Sequence, residues 1–160
     1  MIFATVGTNE ARFDRLLVAL GALRLDEPLV VQCGHSSVRP ANANCVEFLD
    51  FEEMAAHVRA ARAVVTHAGV GSVLLCLAEG VRPIVVPRRR SHGEAVDDHQ
   101  LEFGRHLDAS GLVTLVEDPE RLQGALARTR SLESPPEGGH RLALELRDFL
   151  ADRVRAAAAL

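Results

Sequence analysis

Residues 63–72 read Ala-Val-Val-Thr-His-Ala-Gly-Val-Gly-Ser. The β-branched run ending at Thr66 predicts a strand, and His67 to Gly71 predict a glycine-rich turn. Ser72 then opens an apolar segment, Val73 to Ala78, which stops at Gly80. Strand, tight loop and helix in that order let backbone N–H groups at a helix N-terminus approach an anion, and the helix dipole favours negative charge there. The stretch therefore predicts a phosphate-binding loop for a nucleotide-type ligand. The competing reading is a plain tight connection, with glycines present only for sterics. Beside a phosphate, His67 could donate a hydrogen bond or carry charge.

On either side of this stretch, apolar runs alternate with helical patterns. Residues 2–6 predict the first strand and stop at Gly7-Thr8-Asn9. Phe13, Leu16, Leu17 and Leu20 then recur at helical spacing, with Thr8 or Asn9 as the N-cap. Residues 29–33 and 45–49 predict the second and third strands, and Asp50 with Glu53 has capping-box spacing ahead of Phe51, Met54, Ala55 and Val58. After Gly80, a C′ glycine, residues 83–87 predict a fifth strand and 88–96 a surface loop. A helix is expected from Asp97 to about Ser110, a sixth strand over 112–116, and a further helix from Pro119. Residues 131–139 predict a linker, and about 140–158 a last helix with Leu142, Leu146, Phe149 and Leu150 on one face. Continuously apolar strands are buried on both faces, which means a parallel sheet covered by helices. The chain is read as one α/β domain over 1–160, with its core at about 2–130: a Rossmann-like, doubly wound parallel sheet of about six strands.

Composition narrows the function. The 160 residues suffice for one domain with a real core. A net charge of −4 argues against nucleic acid as a partner. No apolar run approaches the roughly 20 residues that span a bilayer, and the N-terminus reads as a strand rather than a leader. Cys33, Cys45 and Cys76 are scattered without a C-x-x-C, which predicts neither a disulfide framework nor a zinc site and fits a reducing cytosol. Every Lys-or-Arg position is Arg, so a P-loop lysine, a Schiff-base lysine and a lysine base are all excluded. Tyr and Trp are absent, so stacking on a base falls to Phe or His.

In a doubly wound sheet the ligand sits beyond the C-terminal strand ends where strand order reverses. With order 3-2-1-4-5-6, the Gly7-Thr8-Asn9 and His67–Ser72 loops face each other across one crevice. Val96-Asp97-Asp98-His99-Gln100 is a second candidate: Asp97 and Gln100 fit a capping box, and the first helical turn could reach a sugar. Arg88-Arg89-Arg90 follows strand five at the same edge, either as solvated surface or as a partner for a diphosphate, anionic lipid or an acidic protein. Asp50-Phe51-Glu52 reads as a helix start rather than a metal motif, and no metal set is predicted. The glycine pattern lacks a third glycine and a following acid, which disfavours a nicotinamide oxidoreductase. Ser72 has no evident triad, and composition and spacing name no catalytic base.

Three stretches together carry a resemblance: Thr66 to Ser72; Glu79-Gly80-Val81-Arg82-Pro83-Ile84-Val85-Val86-Pro87-Arg88; and Gly93-Glu94 with Val96 to Glu102. They resemble nucleotide-sugar glycosyltransferases of the GT-B fold, and most closely the single-domain donor-binding subunits of bacterial exopolysaccharide synthesis. The chain is similar, too, to the cytosolic subunit of the dolichol-linked N-acetylglucosaminyltransferase and to the C-terminal half of the peptidoglycan lipid-intermediate transferase. The start, Val6 to Asn9 with Phe13 to Leu17, fits the same group, and the resemblance covers about residues 2–116.

The resemblance implies a hexosyltransferase-type subunit that binds a UDP-sugar donor and needs no metal or other cofactor. It implies a heteromer with a membrane-anchored, acceptor-binding partner, acting on a lipid-linked saccharide at the cytoplasmic face of the membrane. By position, Gly7 and Thr8 would approach the diphosphate, and His67, Ala68, Gly69, Val70, Gly71 and Ser72 would form the nucleotide-phosphate loop. Arg88 is a candidate cation; Asp98, His99 and Gln100 would face the ribose or donor sugar. His67 is a candidate leaving-group stabiliser, with the base expected in the partner. The chain departs from its relatives at Leu75, where many carry a ribose-binding Glu; Glu79 lies one turn further on. A non-catalytic nucleotide-sugar-binding or regulatory module is the alternative.

Overall fold

A computed structural model describes residues 1–129. The linker expected over 131–139 and the helix over 140–158 lie outside the described residues. Six strands, β1 (Ile2–Thr5), β2 (Leu29–Gln32), β3 (Asn44–Val46), β4 (Ala63–Thr66), β5 (Ile84–Val85) and β6 (Thr114–Leu115), form one sheet. Its order is β3-β2-β1-β4-β5-β6, and every neighbouring pair is parallel. The order reverses at β1, as the sequence predicts. Among the described residues, five α-helices flank the sheet: α1 (Asp14–Gly21), α2 (Phe51–Ala60), α3 (Val70–Ala78), α4 (His99–Ala109) and α5 (Leu122–Arg128). None among the described residues is long and apolar enough to cross a membrane.

Strand alternation sorts the core onto two faces. Ile2, Ala4 and Val6 of the first strand and its exit pack with Phe13, Leu16, Leu17 and Leu20 around α1, joined by Leu122 and Leu126 of α5. Phe3 points the other way and packs with Ala55 and Val58 of α2 and Leu75 and Cys76 of α3. The α1 quartet expected from helical spacing is fully buried, about 2 kcal/mol of hydrophobic stabilisation per large side chain. Phe51, expected on the buried face of α2, is instead 60% exposed.

The helix ends differ instructively from expectation. The capping box of α2 forms: Glu53 N–H donates to Asp50 Oδ1 at 2.8 Å, and Asp50 N–H to Glu53 Oε2 at 2.9 Å. Gly80 takes φ +73° after α3, the left-handed conformation expected of its C′ position. However, α1 starts at Asp14, not after Thr8 or Asn9. Asn9 Oδ1 accepts from Ala11 N–H, and Phe13 N–H donates to Ser36 Oγ, so residues 8–13 are held as a loop by contacts a helix would forgo. The helix after His67 begins at Val70, two residues before Ser72, with Gly69 as N-cap. The Asp97–Gln100 capping box does not form, because Gln100 Oε1 accepts from the Arg88 N–H at 3.2 Å instead.

Candidate functional site

Because all six strands are parallel, their C-terminal ends share one edge. There, where strand order reverses, a cleft of about 260 Å³ opens between the loops after β1 and β4. Gly7 and Thr8 form one wall, His67, Gly69, Gly71 and Ser72 another, and Gln32 comes from the end of β2. Leu49, Phe51 and Met54, from the entry to α2, make an apolar lip. Among the described residues, no carboxylate lines this cleft.

The imidazole of His67 is wedged between two glycines. A Cβ on Gly7 would lie 2.4 Å from His67 Cε1, and one on Gly69 would lie 2.1 Å from Nε2. Gly7 also has φ +77°. Both glycines therefore have a steric reason to be there. Gly71 has none: a Cβ at that position meets nothing within 4 Å. It lies in the first turn of α3 and lines the cleft, leaving helix N-terminal amides open to a ligand.

Burial holds the His67 pKa down to about 4, with the Arg88 guanidinium adding to the effect. The imidazole is therefore neutral at pH 7. Of the two roles read from sequence, only the neutral hydrogen-bonding one fits this charge state.

Gln32 was not among the residues expected in the site. It is 2% exposed, and its Oε1 accepts from Thr5 Oγ1, which in turn accepts from Gly7 N–H at 3.1 Å. With Oε1 engaged, Gln32 has its amide N–H groups left to offer. The available signal was a lone polar residue at the C-terminal end of an otherwise apolar strand. Phe51 and Met54 were missed as lining residues because helical spacing assigns them to a core face.

The other expected residues are placed elsewhere. Ala68 is buried against Val73, Val85 and Leu107, turned away from the cleft. Val70 is 55% exposed and does not line it. Arg88, Asp98, His99 and Gln100 are not lining residues either; they stand at the end of β5, one strand along. Asp98 Oδ1 accepts from Arg90 N–H at 3.0 Å, and His99 Nδ1 lies 2.9 Å from Asp97 Oδ2 with its side chain 82% exposed.

The three consecutive arginines have three fates. Arg88, expected in a polar surface loop, is buried; Arg89 pairs with Glu117 at 3.0 Å; Arg90 is exposed. Leu75 is 7% exposed and packs into the α2–α3 core, while Glu79 pairs with Arg59 at 3.0 Å at the far end of α3. Neither brings a carboxylate to the cleft. Among the described residues, no three His, Cys, Asp or Glu side chains come together as a metal set.

A larger groove of about 800 Å³ runs between α1 and the Asp118–Glu120 turn. Its floor is apolar, from Val18, Ala19, Ala22 and Leu23, and Arg89 and Glu117, which follow β5 and β6, also line it. Backbone donors converge in the smaller cleft, which is therefore the stronger candidate.

This fold recurs in solved glycosyltransferases. SnogD from Streptomyces nogalater superposes with a TM-score of 0.51 at 23% identity, over 92% of this chain and 36% of that one. MurG from Acinetobacter baumannii gives 0.53 at 20% identity, over 91% and 49%. The calicheamicin glycosyltransferase CalG4 gives 0.56 at 19% identity, over 99% and 40%. The chain thus spans less than half the length of these structures, and its architecture is that of the C-terminal, Rossmann-like half of a GT-B glycosyltransferase. Residues 1–138 match the glycosyltransferase family 28 C-terminal domain, and the chain belongs to that family. No curated protein matches it.

Proposed function

We propose that the chain is the UDP-sugar-binding subunit of a two-component glycosyltransferase that acts on a lipid-linked acceptor in polysaccharide synthesis. The carrying observation is a carboxylate-free cleft at the strand-order reversal, bounded by the Gly7 loop, the first turn of α3 and a neutral His67. A diphosphate fits the backbone N–H groups of the Gly69–Ser72 turn, and the apolar lip at Phe51 and Met54 suits a nucleobase.

In transfer, the acceptor oxygen attacks the anomeric carbon as the bond to the UDP oxygen breaks. Charge develops on the departing diphosphate, where oriented amides and a His67 N–H can stabilise it. The acceptor proton needs a general base, which we place in a membrane-anchored partner at the cytoplasmic leaflet. Titrating UDP and UDP-sugars by calorimetry, then assaying transfer with and without the partner, tests both parts. Absence of UDP binding overturns the donor reading; robust transfer by the isolated chain overturns the split.

Leu75 favours a second reading, a non-catalytic nucleotide-sugar-binding module, because α3 offers no carboxylate to a ribose. Donor binding without transfer in the presence of the partner would establish it.

A further inference from the structure

Arg88 is the largest side chain in the structure that solvent does not reach, at 1% exposure. Its Nη1 donates to Ala11 O at 2.6 Å, to Glu94 O at 3.2 Å and to Arg12 O at 3.4 Å. Its Nη2 donates to Val6 O at 2.8 Å, and the guanidinium lies 4.9 Å from the centre of the Phe13 ring. Its Nε has no partner. Every one of these acceptors is a neutral carbonyl. The one nearby carboxylate, on Glu94, is turned to Arg15, with both oxygens 2.9 Å from its nitrogens, and to the Arg89 N–H.

Glu94 attracts Arg88 without bonding it through its carboxylate, so Arg15 and Arg88 share one negative charge, and carbonyl dipoles offset only part of the cost of burying the second guanidinium. Three of the four carbonyls belong to the segment that leaves β1. The peptide between Val6 and Gly7 is held from both sides: its carbonyl by Arg88, its N–H by Thr5 Oγ1. Gly7 and Thr8 on that same segment line the cleft.

We infer that Arg88 is a positioning residue for the anionic end of the donor: it sets the Val6–Arg12 segment from behind and supplies a buried positive charge whose counter-ion is the bound diphosphate. The charge is felt at the cleft, since Arg88 helps hold His67 neutral. This role rests on the cleft being a nucleoside diphosphate site. It differs from direct contact, because the guanidinium never reaches the cleft wall.

The test compares uridine with UDP by calorimetry in the wild type, Arg88→Lys and Arg88→Met, each checked for a cooperative unfolding transition. A merely structural tie would lower both affinities by the same factor. The inference expects Arg88→Met to cut the UDP-to-uridine affinity ratio about tenfold, the scale of one partly screened charge. Arg88→Lys keeps the charge but loses the fork. It should weaken uridine yet hold that ratio within about threefold of wild type. Should Arg88→Met not fold, Arg88→Gln, which also removes the charge, takes its place under the same criterion; a collapsed ratio in Arg88→Lys overturns the role as well. In Arg88→Met, equal losses in both ligands, or none, overturn it too. Wild-type protein that binds no UDP overturns the donor reading itself, whereas wild-type binding with an unchanged ratio in the variants overturns only the part played by Arg88.

Discussion

Gly7 and His67 lie 60 positions apart in the chain, yet a Cβ on the first would stand 2.4 Å from Cε1 of the second. The contact exists because β1 and β4 are parallel neighbours, with Thr5 opposite Thr66, so that the loops leaving them meet. The glycines around this ring can be separated by what each is for.

Gly7→Ala meets both a clash and a left-handed backbone, and should destabilise the fold by about 1–3 kcal/mol. Gly71→Ala meets open space in the first turn of a helix, where alanine is favoured. Its melting temperature should stay level or rise while UDP affinity falls. Thermal unfolding read alongside calorimetry separates the two; a Gly71→Ala protein with wild-type affinity would count against a ligand over the α3 amides.

His67 gives the fold a definite pH dependence. Its folded pKa of about 4 lies below the ordinary value of 6.5, so the unfolded chain binds the extra proton first. Its contribution is therefore complete above about pH 6.5 and is lost as pH falls towards 4, on the order of 2–3 kcal/mol in total. Unfolding titrations at pH 7 and pH 4.5 should show wild type losing more stability than His67→Asn. At pH 7, His67→Ala should weaken UDP binding about tenfold, the scale of a hydrogen bond to a charged group. Unchanged affinity in a folded variant refutes the contact.

Phe51 is 60% exposed, so Phe51→Ala should cost little stability, within about 0.5 kcal/mol. If the lip takes the base, uridine and UDP should both bind more weakly by about 1–3 kcal/mol, the range of base–aromatic stacking. An equal loss for both ligands is the mark of a base contact, in contrast to the phosphate-selective effect expected at Arg88.

Leu75→Glu introduces the carboxylate that the family resemblance leads one to expect at this position. Here the side chain packs with Phe3, Ala55 and Val58, so a carboxylate would be buried without a partner. The variant should lose several kcal/mol of stability and gain no affinity for UDP. Tighter UDP binding by a stable Leu75→Glu protein would mean that α3 can turn this position to the cleft.

Much of the site could be read from sequence because it is local. The turn from His67 to Ser72 carries its own glycines, its strand and its helix within ten residues, and Gly7-Thr8 ends an obvious first strand. Four lining residues escaped that reading. Gln32, Leu49, Phe51 and Met54 belong to elements whose periodicity reports only a buried or a polar face, not which neighbour they meet. Arg88 was legible only in part: its place in the run marked it as a candidate cation at the strand-end edge, but not that it is buried while Arg89 pairs with Glu117 and Arg90 is exposed, because that depends on which neighbour each side chain meets on leaving the strand.

The alternation of strands and helices, the parallel sheet, the α1 core quartet, the Asp50–Glu53 cap and the glycine turn are all legible in the residues alone. Each follows from periodicity or from contacts a few residues long. Only the tertiary structure decided that Arg88 lies under the carbonyls of residues 6–12, that Thr5 ties Gln32 to Gly7, that Leu75 faces the core, and that His67 is neutral. Thr5 and Gln32 lie 27 positions apart and Val6 and Arg88 lie 82 apart, and the charge state of His67 depends on how completely the packing excludes water. Hydrophobic spacing says that a residue is buried; strand order and loop packing decide beside what.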